Sequence, residues 1–213
     1  MLTSTLGIVT AQLRTKMTDR TEQRTLENVE FLHPETVLMK LGPLQRELTA
    51  SNADERLRSL RTNKLKSDRE MWHGSLLVYA WSKIWGKELL YAYHENQDYD
   101  IIVRSDTDRA LIKVQLKELP PKTLNPRITL QGLVDKCRSN KNYDLKGTTV
   151  AILVNNEDGR LETEDIPSLG DPDIWLFGFA APNQTQIFAA GHIGGQSAFW
   201  VVDHPFFARI GNV

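Results

Sequence analysis

The chain of 213 residues has a single cysteine, Cys137. That excludes an internal disulfide and any zinc cage built from several thiolates, and it makes a reducing cytoplasm the expected setting. Long apolar runs are also missing. The longest, Leu76-Leu77-Val78-Tyr79-Ala80-Trp81, is far shorter than the roughly 20 residues a membrane-crossing helix requires. Met1 to Lys16 has no basic lead-in to its weak apolar patch, so a secretory leader is not expected. No Walker loop or Gly-x-Gly-x-x-Gly is present and no two histidines stand four apart, which leaves no phosphate cradle or paired-histidine zinc site of those types. Net charge of one sign is lacking as well, the formal total being -1.

That near-neutral total hides an uneven distribution. Lys113 to Gly147 holds eight Lys/Arg against three Asp/Glu, and Arg56 to Arg69 holds six against Asp68 alone. Thr148 to Val213 reverses the balance, with two Lys/Arg against eight Asp/Glu. Phosphate binding needs a local positive field and not a positive sum, so a nucleic-acid partner is compatible with this layout. Solvated helix faces explain such clusters equally well.

Residues 1–66 read as a polar, N-terminal helical arm punctuated by His33-Pro34 and Gly42-Pro43, with residues 67–213 as the main domain. A firmer helix is expected from Ser67, where Ser67-Asp68-Arg69-Glu70 fits a capping box, to a stop at Gly86. Three strand-like runs follow, Leu89 to His94, Tyr99 to Arg104 and Ala110 to Leu119, with links short enough for hairpins. A second helix fits Ile128 to about Asn140, where Leu130, Leu133, Val134 and Cys137 recur at helical spacing. Thr149 to Val154 is a continuous apolar run of the kind buried on both faces of a sheet. Later strands fit Ile174 to Phe179, Gln186 to Ala190 and Ala198 to Val202, and the glycine-rich Gly191 to Gly195 reads as a turn.

Within this order, Tyr99-Asp100-Ile101-Ile102 is followed by Val114-Gln115-Leu116-Lys117-Glu118. Period-two alternation puts Gln115 and Lys117 on one face of their strand and Ile112, Val114 and Leu116 on the other. On the first helix, Glu70 shares a face with Gly74, Leu77 and Trp81, so its carboxylate is directed toward the core, where an unpaired charge is costly. Bland alternatives stand beside each reading: Asp100 as a turn-flanking acid, Lys117 as an edge lysine, Glu70 as the third residue of the capping box, and His73 as a satisfied structural histidine.

The acid of one strand followed by Gln-x-Lys on the next, within a helix, three strands, helix, strand order, resembles the PD-(D/E)XK or restriction-endonuclease-like nucleases in a Gln-x-Lys variant. The resemblance covers about residues 67–202 and implies an α/β fold with a mixed central sheet. It further implies a Mg²⁺- or Mn²⁺-dependent endonuclease in which Asp100, Gln115 and Glu70 hold the metal, with Glu88 in reserve for Glu70. Lys117 would stand beside the attacking water, and cleavage would leave a 5′-phosphate and a 3′-hydroxyl. Apart from the resemblance, His73, one turn beyond Glu70, is a candidate either to support a metal ligand from behind or to transfer a proton. Lys136, Arg138 and Arg127, on and before the second helix, would contact the phosphate backbone. DNA is the expected partner, RNA remains open, and the chain is expected to work alone, as a homodimer or with a partner protein. The rival is a catalytically silent module of the same fold that binds nucleic acid or a protein. Gln115, which brings no charge where the usual pattern has an acid, favours it.

Overall fold

A computed structural model describes residues 29–50, 66–94, 99–106, 111–122, 125–139, 147–155, 174–180, 184–193 and 196–204. Most of the basic cluster between Arg56 and Arg69 lies outside them, as do residues 1–28 of the N-terminal arm. The described chain is mixed α/β: helices α1 (Pro34–Ala50) and α2 (Lys66–Trp85), strands β1 (Leu89–Tyr93), β2 (Ile101–Ser105) and β3 (Leu111–Leu119), helix α3 (Leu130–Ser139), then β4 (Thr148–Val154), β5 (Ile174–Phe179), β6 (Gln186–Ile193) and β7 (Gln196–Asp203). All seven strands form one sheet in sequence order. β1, β2 and β3 pair antiparallel, β3, β4 and β5 pair parallel, and β5, β6 and β7 return to antiparallel pairing.

The direction changes follow from the connections. Short links join β1, β2 and β3, which restricts them to hairpins, whereas the parallel step from β3 to β4 requires a crossover. α3 is that crossover. It buries Leu130, Val134 and Cys137 against Val150, Ile152, Val154, Ile174 and Leu176 on one face of the sheet. α3 begins at Leu130 and not at Ile128 because Thr129 caps it: its Oγ1 accepts from Gly132 N at 3.0 Å.

The other face carries α2, which is buried without a break from Trp72 to Trp81. A helix apolar on all sides needs cover on all sides. The sheet supplies it below, through Leu89, Tyr91, Ile101, Val103, Val114 and Trp175 among others, and α1 supplies it beside through Val37 and Leu38. α1 begins at Pro34, where the missing proline N–H has no intrahelical acceptor to lose. Gly42-Pro43 does not stop it: Pro43 lies inside the helix. The carbonyl that Pro43 leaves without a helical donor belongs to Met39, which is 58% exposed, so water can take that bond.

Gly191 to Ile193, expected to turn, continue β6. A Cβ on Gly191 would lie 2.4 Å from the Trp175 ring. The glycine therefore admits a tryptophan across the strand, and this ring stacks in turn on Trp200 at 5.7 Å. No described helix is long and apolar enough to cross a membrane.

Candidate metal centre

β2 pairs with β3 only from Ile101↔Val114 to Arg104↔Leu111. β3 runs on to Leu119, held on its other side by β4. Past Val114, the edge of β3 that faced β2 therefore opens into a notch. Asp100 stands at its lip. Asp100 N still donates to Val114 O at 2.9 Å, so Asp100 and Ile101 both address Val114, two residues against one as in a bulge, and a bulge re-aims the side chain it carries.

The Asp100 carboxylate fills part of the notch. Its Oδ2 accepts from Leu116 N at 2.7 Å and from Gln115 Nε2 at 2.6 Å. Leu116 N is the kind of donor that an ending strand leaves over, and Asp100 satisfies it where β2 no longer can. An ionised carboxylate only accepts, so the amide must turn its nitrogen toward Asp100. Both side chains are nearly enclosed, Asp100 at 9% and Gln115 at 7% exposure.

Glu70 approaches Asp100 from the second turn of α2. One turn further along, Gly74 lets the helix settle on the sheet: a Cβ there would meet Ile101 Cδ1 at 3.0 Å and Tyr91 Cε2 at 3.2 Å. The helix begins at Lys66, one residue before Ser67, and the Glu70 carboxyl turns away from a capping role to Tyr93 and Asp100. Burial, and then the Asp100 charge, raise its pKa above the ordinary carboxylate range. A hydrogen bond from the Tyr93 side chain and the charges of Lys66 and Arg69 act in the opposite sense. One oxygen, Oε1, also lies 3.9 Å from Lys66 Nζ. The other, Oε2, is buried with no hydrogen-bond partner.

Of the residues singled out in the sequence, Asp100 and Gln115 thus meet across the notch, and Glu70 approaches Asp100 from α2. Glu88 does not. It lies beyond the Leu89↔Ser105 end of the β1–β2 ladder, while Asp100 lies beyond the Tyr93↔Ile101 end, and its carboxylate meets His33 Nδ1 at 3.3 Å. Lys117 projects on the α3 side of β3 with Gln115, as alternation required: the two pair with Ile152 and Val150, both in the core under α3. It is half-buried, and its charge reaches the Cys137 thiol, where it opposes the rise that burial causes. His73 is buried one turn after Glu70. Arg127, Lys136 and Arg138 are exposed, although Arg138 leans toward Asp135 at 3.8 Å.

Two participants escaped the sequence reading. Tyr93 carries no motif and becomes a neighbour of Glu70 only once β1 is paired. Lys66 was legible, standing four residues before Glu70 on a helix, a spacing at which opposite charges meet.

Among the described residues no group of three or more His, Cys, Asp or Glu is arranged to hold a metal ion. The donors available in the notch are two carboxylates and one amide, all oxygen, a set suited to a hard cation such as Mg²⁺ or Mn²⁺. The buried Oε2 of Glu70 is the observation that makes the fit specific, because a carboxylate oxygen without a donor is costly and a cation would satisfy it. Gln115 would have to turn its amide to present oxygen. Comparison with protein-family models, with curated proteins and with solved structures finds no match to this chain.

Proposed function

We propose that this protein is a divalent-metal-dependent nuclease of the restriction-endonuclease-like type, acting on DNA in the cytoplasm as an endonuclease. The observation that carries the reading is the buried Glu70 carboxyl, one oxygen without a partner, set against Asp100 at the end of β2. A helix, three antiparallel strands, a crossover helix and a parallel strand support it, with Asp100 and Gln115-x-Lys117 on neighbouring strands.

On this reading Glu70 and Asp100 hold Mg²⁺ or Mn²⁺, and Gln115 adds an amide oxygen. A bound ion of this kind supplies Lewis acidity toward a phosphodiester. Lys117 contributes a fixed positive charge near the reacting phosphate and orients the attacking water, in a setting partly closed to solvent where such charges count for more. Arg127, Lys136 and Arg138 take up backbone phosphates and position the duplex without reading its bases. By resemblance, the products carry a 5′-phosphate and a 3′-hydroxyl.

One observation favours the silent module instead. The 2.6 Å bond from Gln115 to Asp100 satisfies that carboxylate within the chain, with no cation. Incubation of supercoiled plasmid with the protein and Mg²⁺ or Mn²⁺ separates the two. Nicking that is abolished by EDTA and lost in Asp100→Ala, with the variant still unfolding in a single cooperative melt, is the expected result. Salt-dependent DNA binding without nicking by any divalent ion would establish the silent module.

A further inference from the structure

Both carboxylates of the notch lean on internal donors, and they do so unequally. Asp100 is held at 2.6 Å by the Gln115 amide and at 2.7 Å by the Leu116 backbone of β3. Glu70 has the Tyr93 hydrogen bond and a long contact with Lys66 at 3.9 Å, and the partners of that contact differ in enclosure: the Lys66 side chain is 44% exposed and that of Glu70 11%. Lys66 thus reaches from solvent to an otherwise enclosed acid. Its position is unusual in a second respect. It is the first residue of α2, where the helix dipole disfavours a cation. The helix dipole therefore does not account for a lysine there, and the Glu70 carboxylate is a neighbour that its charge favours.

From this we infer that Lys66 is a swinging counter-ion of the metal centre, which covers Glu70 until a divalent cation enters and then moves out to a phosphate. The inference rests on the reading of Glu70 and Asp100 as cation ligands. Its physical basis is competition. A lysine ammonium and a divalent ion cannot both sit against Glu70 without repelling each other, and in a partly enclosed site that repulsion is weakly screened. Withdrawal of Lys66 leaves the site more negative, and the freed ammonium becomes one more charge for a nucleic-acid backbone. Cation and phosphate then help one another to bind, and by linkage the help is reciprocal. The i, i+4 geometry suits the task, because such a pair is weak on a helix and breaks easily.

The test measures binding without turnover. Mn²⁺ is titrated calorimetrically into wild type, Lys66→Ala and Lys66→Arg, each alone and saturated with a short phosphorothioate DNA duplex, after subtraction of Mn²⁺ binding to the duplex. In wild type, the duplex should tighten Mn²⁺ binding by about fivefold or more, the lower end of ordinary coupling. Lys66→Ala should bind Mn²⁺ several-fold more tightly than wild type without DNA and show little further gain with it. Lys66→Arg, which keeps the charge, should behave as wild type. A thermal melt within about 2 °C of wild type for each variant excludes unfolding, as expected for the loss of a cation at a helix N-terminus. If wild type binds Mn²⁺ and Lys66→Ala shows the same affinity and the same coupling, the counter-ion role is overturned while the metal centre stands. If Lys66→Arg behaves like Lys66→Ala, charge is not the cause and the role is likewise overturned. If wild type binds no Mn²⁺ at all, the metal centre itself is refuted.

Discussion

The Gln115 amide nitrogen stands 2.6 Å from the Asp100 carboxylate, across the point where β2 ends and β3 continues. This contact explains how an acid can sit nearly enclosed at a strand end without a cation. Asp100 takes one hydrogen bond from an amide side chain and one from the Leu116 backbone, both to the same oxygen. A glutamate at position 115 would offer no such donor, and two carboxylates would then meet in the notch.

Gln115→Glu should therefore change the metal-free and metal-bound protein in opposite directions. Without divalent ions it loses a buried charge-assisted hydrogen bond and gains a like charge, at a cost of about 1–3 kcal/mol by urea unfolding. With Mn²⁺ the added carboxylate should tighten binding by roughly tenfold, readable by calorimetry. A variant as stable as wild type without metal, and no better at binding Mn²⁺, would remove Gln115 from the site.

Glu70 makes stability depend on pH. Its pKa is raised by burial first and by the Asp100 charge second, so the folded state keeps the proton to higher pH than the unfolded state does. The stabilisation is complete below the ordinary carboxylate range and is lost as pH rises through the folded value. Without divalent ions, Glu70→Gln should flatten that loss and be the more stable protein at neutral pH. Mn²⁺ should act in the other sense, because it binds the ionised form: at a hundredfold excess over Kd it adds about 2.7 kcal/mol, with the gain shrinking toward acid pH. Equal Mn²⁺ stabilisation of wild type and Glu70→Gln would show that the ion sits elsewhere.

Lys117→Ala should slow single-turnover nicking by roughly a hundredfold, about 3 kcal/mol in the barrier. DNA affinity should change by no more than one phosphate contact contributes. Removal of Arg127, Lys136 and Arg138 together should do the reverse, weakening binding and flattening its salt dependence while the chemical step in the saturated complex is spared. Nicking at the wild-type rate by Lys117→Ala would end the proposed role of that residue.

His204 gives the fold an acid limit independent of the candidate metal centre. Fully buried, with Tyr79 and Phe179 edge-on to its ring, it has its pKa lowered from the ordinary 6.5 to about 4 by burial. A buried neutral histidine stabilises above its unfolded value, and that contribution is lost as pH falls from 6.5 toward 4. The shift corresponds to a loss of up to about 3 kcal/mol across this window. Urea unfolding should show this slope in wild type and a flatter one in His204→Phe. Parallel pH profiles for the two proteins would assign the acid sensitivity to other groups.

What the residues alone determined is local in range. Hydrophobic spacing, turn residues and the unbroken apolar run of β4 are properties of short segments, and they located α2, α3 and all seven strands within a few residues. Alternation on β3 likewise put Gln115 and Lys117 on one face before any partner strand was known, since a strand's period does not depend on its neighbours. Where local chemistry conflicted with packing, packing prevailed. Pro43 stayed inside α1, and Gly191 to Ile193 stayed in β6 because the Trp175 ring needed a strand with no side chain beneath it. The centre itself was decided only by tertiary structure. Asp100 and Gln115 meet because β2 stops one register step short of them. Glu70 and not Glu88 joins them because the two acids lie at opposite ends of the β1–β2 ladder. Register and the end of a strand are set by pairing between distant segments, so no property of Glu70 or Glu88 in its own stretch of chain could distinguish them.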